Sequence, residues 1–185
     1  MEAMQNDHGR ALYDLSNWYA IYVCSRHEKR VAVHLQRLRI EHLLPLYTSV
    51  RRWKDRRKVL ELPLFPGYVF VRLALRDRLK VLEVPSVVRF VEFHGRPALL
   101  AENDVEALRA GLTNQLKMEP HPYLKVGRRV RVSAGPLVGS EGILVRRKDK
   151  YRVVLSIELI MRSVAVEVDL MDVEPMLSEP ASVAG

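Results

Sequence analysis

The sequence predicts an α+β chain in two parts, an amino-terminal α/β sandwich with a mainly antiparallel sheet and a small carboxy-terminal β-barrel. Three observations carry this. Aromatic and β-branched runs alternate with amphipathic helical stripes up to about residue 113. The next stretch, TNQLKMEPHPY, has two prolines and weak apolar content, as a linker would. From Leu124 onward only short β-type runs occur, separated by glycine or charged turns. A chain of 185 residues is long for one small domain and too short to give three domains adequate cores. The expected divisions are a tail at 1–15, a sandwich at 16–113, a linker at 114–123, a barrel at 124–176 and a second tail at 177–185.

Each element has its own signal. The run Trp18 to Cys24, WYAIYVC, suits a strand buried on both faces. Ser25 with Glu28 forms a capping-box pattern, and Val31, Leu35 and Leu38 then share one stripe, predicting a helix over about 26–39. YTSVRRW and VLELPLF flank the polar run Lys54 to Lys58, as in a hairpin with a long basic tip. Pro66-Gly67 marks a turn into the strand YVFVRL. A short helix over about 77–83 ends at Pro85, VVRFVEF reads as a strand closed by His94-Gly95, and Val105, Leu108 and Leu112 mark a last helix. The runs RVRV, GILVRR, YRVVLSI and SVAVEV supply the barrel strands, whose closure would remove exposed sheet edges.

Composition narrows the function. A formal charge of +8 and a pI near 9.8 favour a polyanionic neighbour, because Lys and Arg displace counterions from phosphate backbones. The excess is mostly amino-terminal. Cys24 is the sole cysteine and six histidines are scattered without ligand spacing, so neither an internal disulfide nor a metal site is expected, and no cofactor. The polar opening residues and the lack of any apolar run near ~20 residues point to a cytoplasmic chain away from membranes. No phosphate loop, catalytic triad or metal cluster is present, which argues against an enzyme.

Four stretches remain as candidate sites. In Leu64-Phe65-Pro66-Gly67-Tyr68-Val69-Phe70-Val71 a rigid proline turn can hold Phe65 and Tyr68 at a surface with little entropy left to lose; the alternative is a buried turn. The run Arg51, Arg52, Trp53, Lys54, Arg56, Arg57 and Lys58 can grip phosphates with Trp53 stacking on a base, or simply solvate a hairpin. Arg26, His27 and Arg30 at a helix amino-terminus form a second candidate phosphate patch, against an ordinary exposed turn. Finally, the glycines between Gly127 and Val145 fall where tight turns between barrel strands need positive φ or close backbone approach.

WYAIYVCSRHEKRVAVHL followed by FPGYVFV, in this order and spacing, resembles the amino-terminal, NGN-type domain of the bacterial NusG family over about 18–112. The glycine-rich stretch is similar to a KOW motif, the signature of an SH3-like barrel. The resemblance implies a transcription elongation or antitermination factor whose apolar sheet face grips the clamp helices of RNA polymerase, with Trp18, Phe65, Pro66, Gly67 and Tyr68 at or beside that face. It implies non-template DNA as the target of the basic residues. In the barrel loop SIELIMRSVAVEV it places Leu159, Ile160 and Met161 at the tip, where family members contact Rho or a ribosomal protein of the NusE type; the alternative is that these residues plug the barrel end. The family's usual aromatic is absent at Ile160, which argues against Rho and makes the chain similar to the specialised RfaH-like or capsule-operon paralogues acting at selected operons. A monomer is expected. The competing reading is a ribosome-associated or general RNA-binding KOW protein, for which the barrel and the charge suffice.

Overall fold

The computed structural model describes residues 13–53, 56–121, 127–147, 150–157 and 160–176. The chain divides into two compact units, Met1–Arg109 and Ala110–Gly185. Among the described residues no helix is long and apolar enough to cross a membrane.

The first unit is built on a four-stranded antiparallel sheet in the order β2-β5-β1-β6, comprising β1 (Ser16–Val23), β2 (Glu41–Leu43), β5 (Tyr68–Ala74) and β6 (Val87–Phe90). As its continuous apolar run requires, β1 lies inside the sheet, and Trp18 to Ile21 are all buried. Its register against β5 pairs Tyr19 with Val71 and Ile21 with Val69, so these four share one face. Helix α1 (Glu28–Arg37) lays Val31 and Leu35 on that face, and α2 (Arg78–Leu82) adds Val81. Fully burying such side chains stabilises the unit by roughly 1.5–3 kcal/mol each. The opposite face carries Trp18, Ala20 and Tyr22 opposite Arg72, Phe70 and Tyr68.

Two local expectations change. Ser25 does not cap α1; the N-cap is His27, with no side-chain capping bond. Glu28 therefore opens the helix instead of occupying its third position, and its carboxylate is spent elsewhere. The basic hairpin is also tighter than expected. Strands β3 (Leu46–Trp53) and β4 (Arg56–Pro63) pair up to Trp53 opposite Arg56, so Arg56, Arg57 and Lys58 belong to a strand and not to a long tip. A second small hairpin, β7 (Glu92–Phe93) and β8 (Arg96–Pro97), turns through His94 and Gly95, both at positive φ. Helix α3 spans Glu102–Thr113.

In the second unit six antiparallel strands follow the order β14-β10-β11-β12-β13-β9. They are β9 (Met118–His121), β10 (Arg128–Val132), β11 (Glu141–Arg147), β12 (Lys150–Ile157), β13 (Arg162–Val168) and β14 (Val173–Pro175). Strands β9 and β14 end the order, with no pair between them among the described residues. The expected linker at 114–123 is corrected in part, since β9 lies within it and aligns Met118 with Val166 and Pro120 with Val164. A proline is tolerated there because β9 is an edge strand, where a missing N–H need not break a ladder.

Gly142 shows why this sheet needs its glycine motif. A Cβ there would stand 2.5 Å from the Val154 carbonyl oxygen and 2.6 Å from Val153 Cγ1. The oxygen belongs to the neighbouring strand's backbone and cannot swing away. Gly142→Ala is expected to cost about 2–3 kcal/mol, as overpacking does. Urea unfolding followed by hydrogen exchange of β11 and β12 checks this; unchanged protection would show that the strand yields freely.

Candidate interaction surface

The Leu64–Tyr68 turn is held from three sides. The Leu64 N–H donates to the Pro45 carbonyl at 2.8 Å, the Val23 N–H to the Gly67 carbonyl at 2.9 Å, and the Tyr68 N–H to the Phe65 carbonyl at 3.1 Å. Gly67 adopts φ +85, a left-handed conformation costly to residues with a Cβ. Its own N–H donates to Oε1 of Glu28 at 2.8 Å, and Glu28 is only 4% exposed. A charge-assisted bond from the first residue of α1 thus ties helix to turn.

Side-chain placement divides the expected aromatic anchors. Phe65 is 1% exposed and packs edge-on against Phe70, ring centroids 5.4 Å apart. Trp18 is 2% exposed, with the Arg109 guanidinium 5.3 Å over its ring. Both rings are interior, so neither is a surface contact in this structure. Helix α3 accounts for the face near Trp18: Arg109 Nη2 donates to Glu41 Oε1 at 2.9 Å, and Arg72 lies 3.5 Å from Glu102 and 3.8 Å from Glu41. Outside remain exposed Pro66 and half-buried Tyr68. Tyr68 meets Tyr22 edge-on at 5.5 Å, and Arg89 lies 6.0 Å over the Tyr22 ring. Tyr22 and Arg89 were not singled out from sequence, although Tyr22 shares the every-second-residue face of Trp18 and Ala20.

The other candidates are dispersed. At the start of α1, Arg26 is exposed with φ +66, Arg30 is exposed, and His27 is half-buried with its Nδ1 2.8 Å from Ser86 Oγ. In the basic hairpin the register sets Arg51 opposite Lys58, Arg52 opposite Arg57 and Trp53 opposite Arg56. Lys58 is exposed, and Lys54 lies outside the described residues, as does Leu159 of the carboxy-terminal trio. Ile160 is 6% exposed and so is packed inward, which corrects its placement at an outward tip; Met161 is 61% exposed with φ +49.

Comparison with known proteins agrees with this architecture. The family model for the transcription termination factor NusG matches residues 16–109. The chain is 31% identical over 174 residues to the transcription termination/antitermination protein NusG of Escherichia coli K12, covering 85% of this chain and 94% of that protein. It is 26% identical over 176 residues to the NusG protein of Helicobacter pylori J99, covering 88% of this chain and all of that one. Among solved structures, Thermotoga maritima NusG aligns with a TM-score of 0.52 at 21% identity, over 88% of this chain and 98% of that one, a likeness of fold. The matching family and its curated relatives are non-enzymatic transcription factors, and this chain is one of that class. The chain belongs to the NusG family.

Proposed function

We propose that this chain is a transcription elongation and antitermination factor that binds RNA polymerase through the outward side of the Leu64–Tyr68 turn and suppresses pausing or termination at selected operons. The observation that carries the reading is the bond from Gly67 to buried Glu28. It pre-orders a turn whose outward residues, Pro66 and Tyr68 with Tyr22 beside them, are apolar and aromatic. A pre-ordered aromatic anchor loses little entropy on docking and is the usual hot-spot chemistry. Phe65, packed against Phe70, supports this surface from beneath, and the polymerase clamp helices are its partner.

The basic hairpin supplies the nucleic-acid contact. The register along this hairpin sets Arg51 opposite Lys58 and Arg52 opposite Arg57, so basic residues follow one another on both strands. A phosphate backbone is the partner such a basic run suits, and non-template DNA at the upstream fork is the proposed source. Arg26, His27 and Arg30 form a second contact with the same strand. The six-stranded carboxy-terminal sheet is read as an SH3-like KOW barrel, with Met161 offered to a ribosomal protein of the NusE type. The absence of an aromatic at Ile160 favours a specialised member over a Rho-binding one.

Tyr68→Ala is expected to weaken binding to core polymerase about ten-fold, the loss of one hot spot. Stability of the first unit should change little, because the Tyr68 ring is only half-buried. Interferometry with purified core polymerase, with readthrough at a defined pause site, provides the measurement. Wild-type chain that neither binds polymerase nor alters readthrough would reject the proposal, and association with ribosomal particles alone would favour the ribosome reading.

A further inference from the structure

Tyr68, Tyr22 and Arg89 form one row across three adjacent strands. Tyr22 on β1 lies directly opposite Tyr68 on β5 and directly opposite Arg89 on β6, so these side chains share one face of the sheet. The row extends from the pre-ordered turn to the edge of the sheet, and its last member differs in kind from the others. Arg89 is exposed, and its guanidinium stands 6.0 Å over the Tyr22 ring, at the outer limit of a cation–π contact. It forms no hydrogen bond or ion pair with the protein among the described residues. The acids around it do not neutralise it. Glu28 is committed to the Gly67 N–H, and Glu83 and Glu92, the acids nearest along the chain, are outside ion-pair reach of Arg89.

The local backbone is arranged to hold Arg89 in this place. The β1–β6 ladder skips Val88, pairing Tyr22 with Arg89 and Val23 with Val87, and leaves Val88 51% exposed. An extra residue of this kind re-aims the side chain beside it. Just before it, Ser86 adopts φ +77, a costly conformation for a residue with a Cβ. The Cys24 N–H fixes it by donating to its carbonyl at 2.9 Å, and His27 Nδ1 lies 2.8 Å from its Oγ. The skipped residue, the exposed valine and the left-handed serine all cost stability in the free chain, and Arg89 gains no protein acceptor from them.

We propose that Arg89 is the charged anchor of the polymerase-docking surface, pairing with a carboxylate on the polymerase segment that packs against Pro66, Tyr68 and Tyr22. The inference rests on the reading of the Leu64–Tyr68 turn as that surface, which the row continues. The Tyr22 ring takes none of the guanidinium N–H donors, so a planar carboxylate can accept a pair of them. One cation at the rim of an aromatic row suits a protein side chain. A phosphate backbone is held by several cations in succession, and the row supplies one.

The test measures binding of the full chain to core polymerase by interferometry at low and high salt, for wild type, Arg89→Ala, Arg89→Lys, Arg89→Glu and Tyr68→Ala. Arg89→Ala is expected to weaken binding about ten-fold. Arg89→Glu should weaken it by about ten-fold more, because like charges then meet. Arg89→Lys should recover part of the loss, as a point charge without the fork. Wild-type affinity should fall more steeply with salt than that of Arg89→Ala. Arg89 is exposed on an edge strand, so the variants should melt near the wild-type temperature; a purely structural role would move the melting and leave the salt dependence alone. The inference by itself is overturned if Tyr68→Ala weakens binding while Arg89→Ala and Arg89→Glu bind as wild type does. It is also overturned if the Arg89 variants lose affinity for a single-stranded oligonucleotide and none for polymerase, which would assign the row to phosphate. Wild-type chain that does not bind polymerase removes the docking surface and this anchor with it.

Discussion

Replacing Arg152 with alanine is expected to destabilise the carboxy-terminal unit by about 3 kcal/mol, the lower end of the range for breaking a buried ion pair. Arg152 on β12 is 7% exposed, and it donates to two carboxylates at once, Glu119 Oε2 on β9 at 2.7 Å and Glu167 Oε1 on β13 at 3.1 Å. The bond to Glu119 is the largest influence holding the guanidinium pKa above its ordinary value. Removing the cation leaves two part-buried carboxylates on the adjacent strands β9 and β13, with Lys117, 3.1 Å from Glu167, as a partial substitute. The low end of the range applies because Glu119 and Glu167 keep 33% and 20% of their side-chain surface in water. Damage should concentrate at β9, the edge strand that this guanidinium ties to its neighbours. Arg152→Lys should recover only part of the loss, since one ammonium cannot reproduce a planar fork. Hydrogen exchange during urea titration measures both variants. Unchanged protection at Met118–His121 in Arg152→Ala would show that the backbone ladder alone holds β9.

The fate of β9 shows what sequence could and could not convey. Strand β1 and helix α1 were legible because their signals are local: a continuous apolar run, and Val31 and Leu35 on one stripe. The residues of β9 carry no such pattern. Their strand conformation is imposed by a partner some 45 positions away in sequence, through the ladder to β13 and through Arg152. The same limit explains the misplaced capping box. Ser25 and Glu28 have the right spacing, but Glu28 serves an amide 39 residues distant, a bond no local pattern encodes. Exposure was the least legible property. The family resemblance implies that Trp18 and Phe65 lie near one sheet face, yet the structure buries both, with Arg109 from α3 over one ring and Phe70 against the other. The contacting residues sequence reasoning passed over, Tyr22 and Arg89, needed the β1–β6 register that sets them side by side. In the hairpin, the basic composition is plain in the sequence, whereas the register that sets Arg51 opposite Lys58 is defined only by the pairing.

Phe65→Ala is expected to cost about 3–5 kcal/mol of stability in the first unit, the range for truncating a buried phenylalanine. The ring is 1% exposed, and the lost volume lies between the proline turn and Phe70, itself fully buried. Collapse to fill it is hindered because the turn is pinned by Glu28 through Gly67, by Pro45 through Leu64 and by Val23 through the Gly67 carbonyl. A cavity that cannot relax gives the upper half of the range. The consequence for polymerase binding separates two roles that the motif alone merges. If Phe65 supports the surface from beneath, Phe65→Leu should retain most of the stability and most of the affinity, while Tyr68→Ala loses affinity with little change in stability. If Phe65 were itself the anchor, Phe65→Leu would lose affinity as severely as Tyr68→Ala despite a preserved fold. Guanidinium unfolding paired with interferometry on both variants distinguishes these outcomes. A Phe65→Ala protein as stable as wild type would mean that the turn is free to close over the gap, and the rigidity on which the proposed docking surface depends would be lost with it.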